Sequence, residues 1–409
     1  MKSNGMLYSS LTEWEQNKTW AEIDLSALRH NFRLLRTPVG LQDPSTRVIA
    51  VVKAEAYGHG TDACIPVLLD EGCDFFAVSC IDEAAAVEKA CRAHGKEADI
   101  LILGYTDPAL ARMLAEHRFI QSLLSPDYAA QLASEAEQAG VTVRAHVAVD
   151  TGMNRIGYSA RGEDQIEPTA QQILALSDRP QLRIEGMFTH FSRADEIADP
   201  DAVAHTEAQS ARYRMLRTCL EAHGMRIPFH HACNSIAAVL RPTDHFDGVR
   251  FGILLYGAGP IRESGLPLRP VMRLCTVVSH IHTVEQGEPI GYGGTFRANS
   301  ARCIATLPIG YADGFLRAYQ GTGVTVETAD GPKEATVVGS VCMDQCMIDV
   351  TDLGARVGDV VTVFGGDTDA LSRLAEHAGT IPYECLALLS PRVKLHYRDD
   401  PENSERGRV

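Results

Sequence analysis

The chain has 409 residues, of which 45% are apolar and 22% charged, with a formal net charge of −15. That length accommodates two domains with ordinary cores, and an acidic balance without a dense Lys/Arg run argues against nucleic acid as a partner. The first residues, MKSNGMLYSSLTEWEQ, lack the apolar core of a secretory signal, and no run of about 18 apolar residues reads as a membrane span. A cytoplasmic protein with no membrane partner is expected, with residues 1–18 as an N-terminal extension. Eleven cysteines, an odd number without a CxxC pair, read as free thiols in a reducing compartment.

From residue 19 to 262, short apolar runs alternate with helical patterns. The runs are VIAVV (48–52), FFAV (75–78), ILIL (100–103), FIQSLL (119–124), VRAHVAV (143–149), IEGMFT (184–189), IPFHH (227–231) and GVRFGI (248–253). Amphipathic segments lie between them. DEAAAVEKACRAHG (82–95) opens on acids and closes on Gly, SPDYAAQLASEAEQAG (125–140) has Ser then Pro at its start, and a longer one covers 201–224. Continuous apolar runs suit parallel strands covered by helices on both faces. Eight such units in this length predict an α/β fold with a (β/α)8 TIM-type barrel; a doubly wound open sheet is the alternative.

After about residue 263 the rhythm changes. LCTVVSHIHTV (274–284), ARCIATL (301–307), GVTVET (323–328), ATVVG (335–339), CMIDV (346–350) and DVVTVFGG (359–366) read as strands joined by Gly, Asp and Pro turns. One helix-like segment, DALSRLAEHAG (369–379), interrupts them. A separate, mostly β domain over 263–409 is expected.

In barrels the chemistry sits at the C-terminal ends of the strands. The first run ends in Lys53, an unusual residue after an apolar strand; burial lowers an amine's pKa toward the range a carbonyl-condensing group needs. Tyr57 follows in a loop tightened by Gly58 and Gly60. The fifth run leads to Arg155, the sixth to His190 and Asp195, and the seventh to Asn234 and Ser235. The eighth leads to Arg250, Gly252 and Ile253. Loops after strands seven and eight are a common phosphate site, where helix starts offer N–H groups. His190, Asp195, His230 and His231 are an alternative set of metal ligands. That reading leaves Lys53, Ser235 and Gly252 without roles, so no metal is expected. An amine, a phosphate cradle and an Arg together suggest pyridoxal phosphate.

The chain closely resembles the bacterial alanine racemases, a family of fold-type III pyridoxal-phosphate amino-acid racemases. The resemblance rests on VVKAEAYGHG, VDTGMNRIGY, GMFTHFSRADE, ACNSIAAVL, VRFGILLYG, IGYGGTF, LPIGYADG, GSVCMDQCMIDV and IPYE, which occur in the family's order. It implies an isomerase that interconverts L- and D-alanine for cell-wall synthesis, with Lys53 carrying the cofactor as an aldimine and acting as the D-side base. Tyr292 would be the L-side base, supplied by the partner subunit of a homodimer. Arg250 would face the pyridine nitrogen. Tyr57, Ser235, Gly252, Ile253 and Tyr383 would hold the phosphate, with Asn234 beside them. Arg155 would reach the cofactor's phenolic oxygen and the substrate carboxylate, His190 would bond Tyr292 and Arg250, and Met343 would offer its N–H to the carboxylate. Asp195, Tyr311 and Arg317 would line the entrance.

Racemisation removes a proton from one face and returns one on the other, which suits two bases. A free tyrosine titrates near ~10, so neighbouring cations must lower it. Arg scarcely releases its proton, so Arg250 leaves the ring nitrogen unprotonated and limits transamination. Three positions depart from the family pattern. Glu55 replaces Asn or Asp, Ala148 replaces a lysine that orients Arg155 once carbamylated, and Ser340 replaces an arginine near the entrance. Tyr383, where serine-racemising relatives carry Asn, favours alanine. A broad-specificity serine racemase, a pyridoxal-phosphate decarboxylase and a non-catalytic cofactor-binding protein are the competing readings.

Overall fold

The computed structural model describes residues 18–37 and 45–399. The expected extension lies, but for Lys18, outside them. The described chain forms two compact units, one holding residues 28–268 and the other residues up to 27 together with 269 onward.

In the first unit, eight strands follow the eight apolar runs. They are β2 (Arg47–Val51), β3 (Phe75–Val78), β4 (Asp99–Ile102), β5 (Ile120–Leu123), β6 (Val143–Asp150), β8 (Leu182–Phe188), β9 (Phe229–His231) and β10 (Gly248–Phe251), with β1 (Thr19–Asp24) before them and a short β7 (Tyr158–Ser159) beside β6. Each pairs in parallel with the next, and β10 returns to β2, so the sheet closes. The helices begin and end where the local chemistry places them. Ser125 accepts from the Tyr128 N–H, Pro126 opens the turn, and Gly140 closes the helix at φ 66°. Asp199 caps the helix Pro200–Ala222 in the same way.

The N-terminal ends of the strands are closed by ion pairs. Arg144 reaches Asp99 at 2.8 Å and Glu185 at 2.7 Å, while Arg47 reaches Asp99 and Asp74 at 3.1 Å each. Above this plug the interior is aromatic: the rings of Phe75, Phe229, His146, His231 and Phe188 meet in succession, the last two stacked. Gly186 stands opposite His146 in the β6–β8 register, and a Cβ there would lie 2.6 Å from the imidazole. Gly186→Val should therefore lower stability by about 1–3 kcal/mol. Urea unfolding checks this, and an unchanged midpoint would mean that the ring can move aside.

The second unit begins earlier in the chain than expected. β1 pairs antiparallel with β11 (Met272–Val277) and parallel with β20 (Lys394–Arg398), so residues 19–27 leave the expected barrel segment and join the C-terminal sheet. The remaining strands are β12 (His280–Val284), β13 (Pro289–Ile290), β14 (Phe296–Arg297), β15 (Arg302–Leu307), β16 (Gly323–Thr328), β17 (Gly331–Val338), β18 (Cys346–Asp349) and β19 (Val360–Phe364). The single strand expected over 274–284 is two. Val278 donates to Asp359 and Ser279 to Thr306, which bends the chain and sends β11 and β12 to distant places in one sheet. β13 and β14 form a small hairpin over Val284, Ile290, Ile304 and Val338. Among the described residues, no helix is long and apolar enough to cross a membrane.

Candidate active site

Lys53 follows β2 after Val52 and opens a left-handed turn. Ala54, Glu55, Ala56 and Tyr57 all have φ between 51° and 56°, an unusual run for residues with side chains. Side-chain carboxylates hold this turn. Glu83 accepts from the N–H of Ala54 and of Ser79, both at 2.7 Å, and Glu55 accepts from the Thr61 N–H at 3.2 Å. Sequence reasoning took Glu83 for part of an acidic helix start and missed this second job; an acid in the first turn after a neighbouring strand is the one available signal. Burial lowers the Lys53 pKa first and the nearby Arg155 second, against an opposing effect of Glu83.

Arg250, 3% exposed, rises from β10 into the barrel interior. One terminal nitrogen donates to His231 Nδ1 at 2.6 Å. The other donates to the carbonyls of Thr189 and Ala232, both at 2.8 Å, and to His190 Nδ1 at 3.2 Å. A guanidinium can only donate, so both imidazoles must be neutral and accept at Nδ1. His231 then carries its proton on Nε2 and donates to His146 Nδ1 at 3.0 Å. Burial, then the Arg250 charge, holds His190 and His231 well below the usual range. Burial likewise takes His146 to about 3 and Arg250 to about 10, which leaves Arg250 cationic at pH 7.

These neutral histidines make stability depend on pH. Above their ordinary value of 6.5, folded and unfolded chains both hold them neutral, and the full stability is present. As pH falls below 6.5 the unfolded chain takes up protons that the folded one refuses, and stability falls by about 1.4 kcal/mol per pH unit for each group. His146→Phe should flatten the slope between about pH 6.5 and 5 by roughly that amount. Urea unfolding at several pH values measures it, and equal slopes would refute the neutral assignment.

Beside Arg250 lies a narrow cradle. Asn234 caps the helix Ser235–Leu240 by accepting from the Ala237 N–H at 3.1 Å, and the Ser235 hydroxyl accepts from the Gly252 N–H at 2.8 Å. The first N–H groups of that helix have no acceptor within it. A Cβ on Gly252 would lie 2.7 Å from the Tyr57 hydroxyl, so only glycine leaves this space open. Ile253 begins the next short turn. Lys53, Tyr57, His190, Ser235, Arg250 and Gly252 thus belong to one end of one barrel. Arg155 and Asp195 are exposed on the loops that follow β6 and β8. Arg155 makes no hydrogen bond or ion pair among the described residues, and Ala148, where a lysine was missing, is buried with only a methyl to offer. His230 and His231 point to opposite sides of β9. His230 meets the Tyr213 hydroxyl at 3.1 Å and His231 meets Arg250, so the four alternative metal ligands do not gather.

The other expected residues belong to the second unit. Tyr292 stands in the loop between β13 and β14, where Gly291, Gly293 and Gly294 all have positive φ, which explains the glycines around it. It is 76% exposed, and Met343 is 54% exposed. Backbone bonds join the Met343 and Tyr311 segments: the Tyr311 N–H donates to Cys342 at 3.1 Å and the Ala312 N–H to Met343 at 3.0 Å. A Cβ on Gly310 would lie 2.4 Å from both the Cys342 and Met343 carbonyls. Buried Asp313 anchors the turn by accepting from the Gly310 N–H at 3.0 Å and pairing with Arg392 at 3.2 Å. Ser340 is buried and lies 3.3 Å from the Thr295 hydroxyl, tying the Tyr292 loop to the Met343 segment. Arg317 and Tyr383 are exposed on their own short helices.

Comparison with known proteins follows the same division. Residues 23–260 match the alanine racemase N-terminal domain and residues 271–397 the alanine racemase C-terminal domain. Alanine racemase 1 of Clostridium acetobutylicum is 38% identical over 385 residues, covering 92% of this chain and 95% of its own. Among solved structures, the alanine racemase of Clostridium difficile superposes with a TM-score of 0.82 at 34% identity, covering 94% of this chain and 96% of its own. That of Bacillus anthracis, with bound L-Ala-P, superposes with a TM-score of 0.81 at 31% identity, covering 94% and 96%.

Proposed function

The chain belongs to the alanine racemase family, an isomerase family, and from that premise we propose that it interconverts L-alanine and D-alanine by proton transfer at Cα between two bases, Lys53 and Tyr292. The observation that carries the reading is the grouping at the barrel mouth: an amine of lowered pKa, a cradle that only Gly252 leaves open, and the donor-only Arg250 between two neutral histidines.

Those residues fit pyridoxal phosphate. Tyr57, Ser235, Gly252 and Ile253, with Asn234 at their helix start and Tyr383 from the second unit, would hold its phosphate, and Lys53 its aldehyde carbon. When bound, the cofactor supplies an electron sink that makes the substrate Cα proton acidic. Lys53 takes or returns that proton on one face and the Tyr292 phenol on the other. Arg155 holds the substrate carboxylate, aided by the Met343 N–H, and is available to do so because no described side chain bonds it. His190 accepts from Arg250 at Nδ1 and so carries its proton on Nε2, ready to donate to the Tyr292 oxygen and stabilise its deprotonated form. Asp195, Tyr311 and Arg317 line the approach.

Tyr292, Tyr311 and Met343 are large side chains left exposed on one unit, which supports a homodimer in which each chain supplies these groups to its partner. A cytoplasmic enzyme making D-alanine for cell-wall synthesis follows from the same reading. Circular dichroism of L-alanine incubated with the protein and pyridoxal phosphate tests it. The signal should fall to zero, and that of L-serine much more slowly; persistence of the alanine signal refutes the assignment, and equal rates would move it to the broad-specificity class.

Arg250 sets the side reaction. Arg250→Glu would place a group that can share a proton with the ring nitrogen, and transamination, followed as pyruvate released per turnover, should rise by at least about tenfold. No increase in the folded variant would show that Arg250 does not govern the electron sink.

A further inference from the structure

The helix Pro200–Ala222 and its C-cap residue His223 carry two metal-ligating side chains that the proposed chemistry leaves unused. Cys219 and His223 are four residues apart, which places them on one face of the chain. The neighbouring helix Ile166–Leu174 brings Glu167 opposite them. Cys219 Sγ donates to Glu167 Oε2 at 3.0 Å, and His223 Nε2 lies 3.0 Å from Glu167 Oε1. One ligand atom of each residue falls within 4.8 Å of the other two. It is the only such group of three among the described residues.

We propose that Cys219, His223 and Glu167 form a binding site for a divalent cation of the zinc class, which clamps the two helices together. Thiolate, imidazole and carboxylate are the donors that zinc takes, and bond lengths of about 2.0–2.3 Å put tetrahedral ligand atoms roughly 3.3–3.8 Å apart. The two pairs at 3.0 Å need only open slightly around the ion, and the fourth corner faces solvent, since Glu167 and His223 are exposed. Sulfur and nitrogen donors disfavour magnesium and calcium, which want oxygen.

On binding, the S–H bond of Cys219 breaks, its proton goes to solvent, and a metal–sulfur bond forms. No electrons are exchanged. Because the thiol gives up its proton to bind, metal binding and proton release are coupled. The same helix braces the barrel mouth ten residues away, about 15 Å along its axis. There Gln209 donates to the His190 carbonyl at 3.0 Å and Arg212 to the Thr151 carbonyl at 2.9 Å. A clamp at one end of this helix should therefore stiffen the frame that holds the site.

Isothermal titration of zinc chloride into the chelator-treated holoenzyme tests the site. One zinc per chain should bind with a Kd on the order of micromolar or tighter and raise the Tm, and a thousandfold excess of magnesium should not displace it. Cys219→Ser and His223→Gln should each weaken binding by more than about tenfold and abolish the zinc-dependent rise in Tm. Both lie outside the proposed catalytic residues, so activity without zinc should stay at the wild-type level and certify folding. Wild-type affinity in either variant, or no binding tighter than about millimolar in the parent, overturns the proposal.

Discussion

Lys53→Ala should abolish racemisation, lowering kcat by at least about 10⁴, and borohydride should no longer fix pyridoxal phosphate to the chain. Two losses combine. The substitution removes the amine proposed to condense with the aldehyde, and with it the proposed base on one face of Cα. Lys53 suits both tasks because burial and the Arg155 charge lower its pKa, leaving a larger fraction of free amine at neutral pH than an exposed lysine has. Lys53→Arg is the informative control, since it keeps the charge but cannot condense. Alanine racemisation followed by circular dichroism, with borohydride labelling mapped by mass spectrometry, measures both losses. A residual rate within about tenfold of wild type, or label on another lysine, would remove Lys53 from the centre of the mechanism.

Tyr292→Phe gives the second large effect, and its signature is asymmetry. Racemisation should fall by about 10²–10⁴, while Cα–H exchange of D-alanine with deuterated water continues, because Lys53 still serves that face. Loss of exchange from both isomers would mean that the hydroxyl acts in binding and not as a base. The same variant tests where Tyr292 works. If each active site takes Lys53 from one chain and Tyr292 from its partner, mixing the inactive Lys53→Ala and Tyr292→Phe proteins with subunit exchange restores about a quarter of the wild-type activity. Half the dimers are then mixed, and each mixed dimer holds one intact site of two. No recovery after exchange would place both bases in one chain.

Much of the barrel was legible from periodicity. The eight apolar runs became the eight barrel strands because a buried parallel strand must be apolar on both faces, and that requirement writes a continuous run into the chain. The ends of helices were legible where capping is local, as at Ser125, Pro126 and Gly140. β1 was not legible. TWAEID reads equally well as the start of a barrel, and only pairing with residues some 250 and 375 positions later assigns it to the second sheet. The split of 274–284 was hidden for the same reason: nothing local marks Val278, whose bend is set by Asp359 and Thr306.

The candidate site divides along the same line. Residue order along the chain was enough to nominate Lys53, Arg155, His190, Ser235, Arg250 and Gly252, because a strand's C-terminal end in a barrel is a known place and an amine or guanidinium there is conspicuous. It was also enough to mark Tyr292 and Met343 through their motifs. What the order of residues leaves open is which neutral imidazole faces which nitrogen of Arg250, that Glu83 reaches back to hold the Lys53 turn, and that a missing Cβ at Gly252 opens the cradle under Tyr57. Tautomers, reach and empty volume are properties of groups brought together from remote positions. They exist only once the barrel has closed, so they belong to the tertiary structure, whereas the pattern of strands and the nomination of candidate reactive groups belong to the sequence.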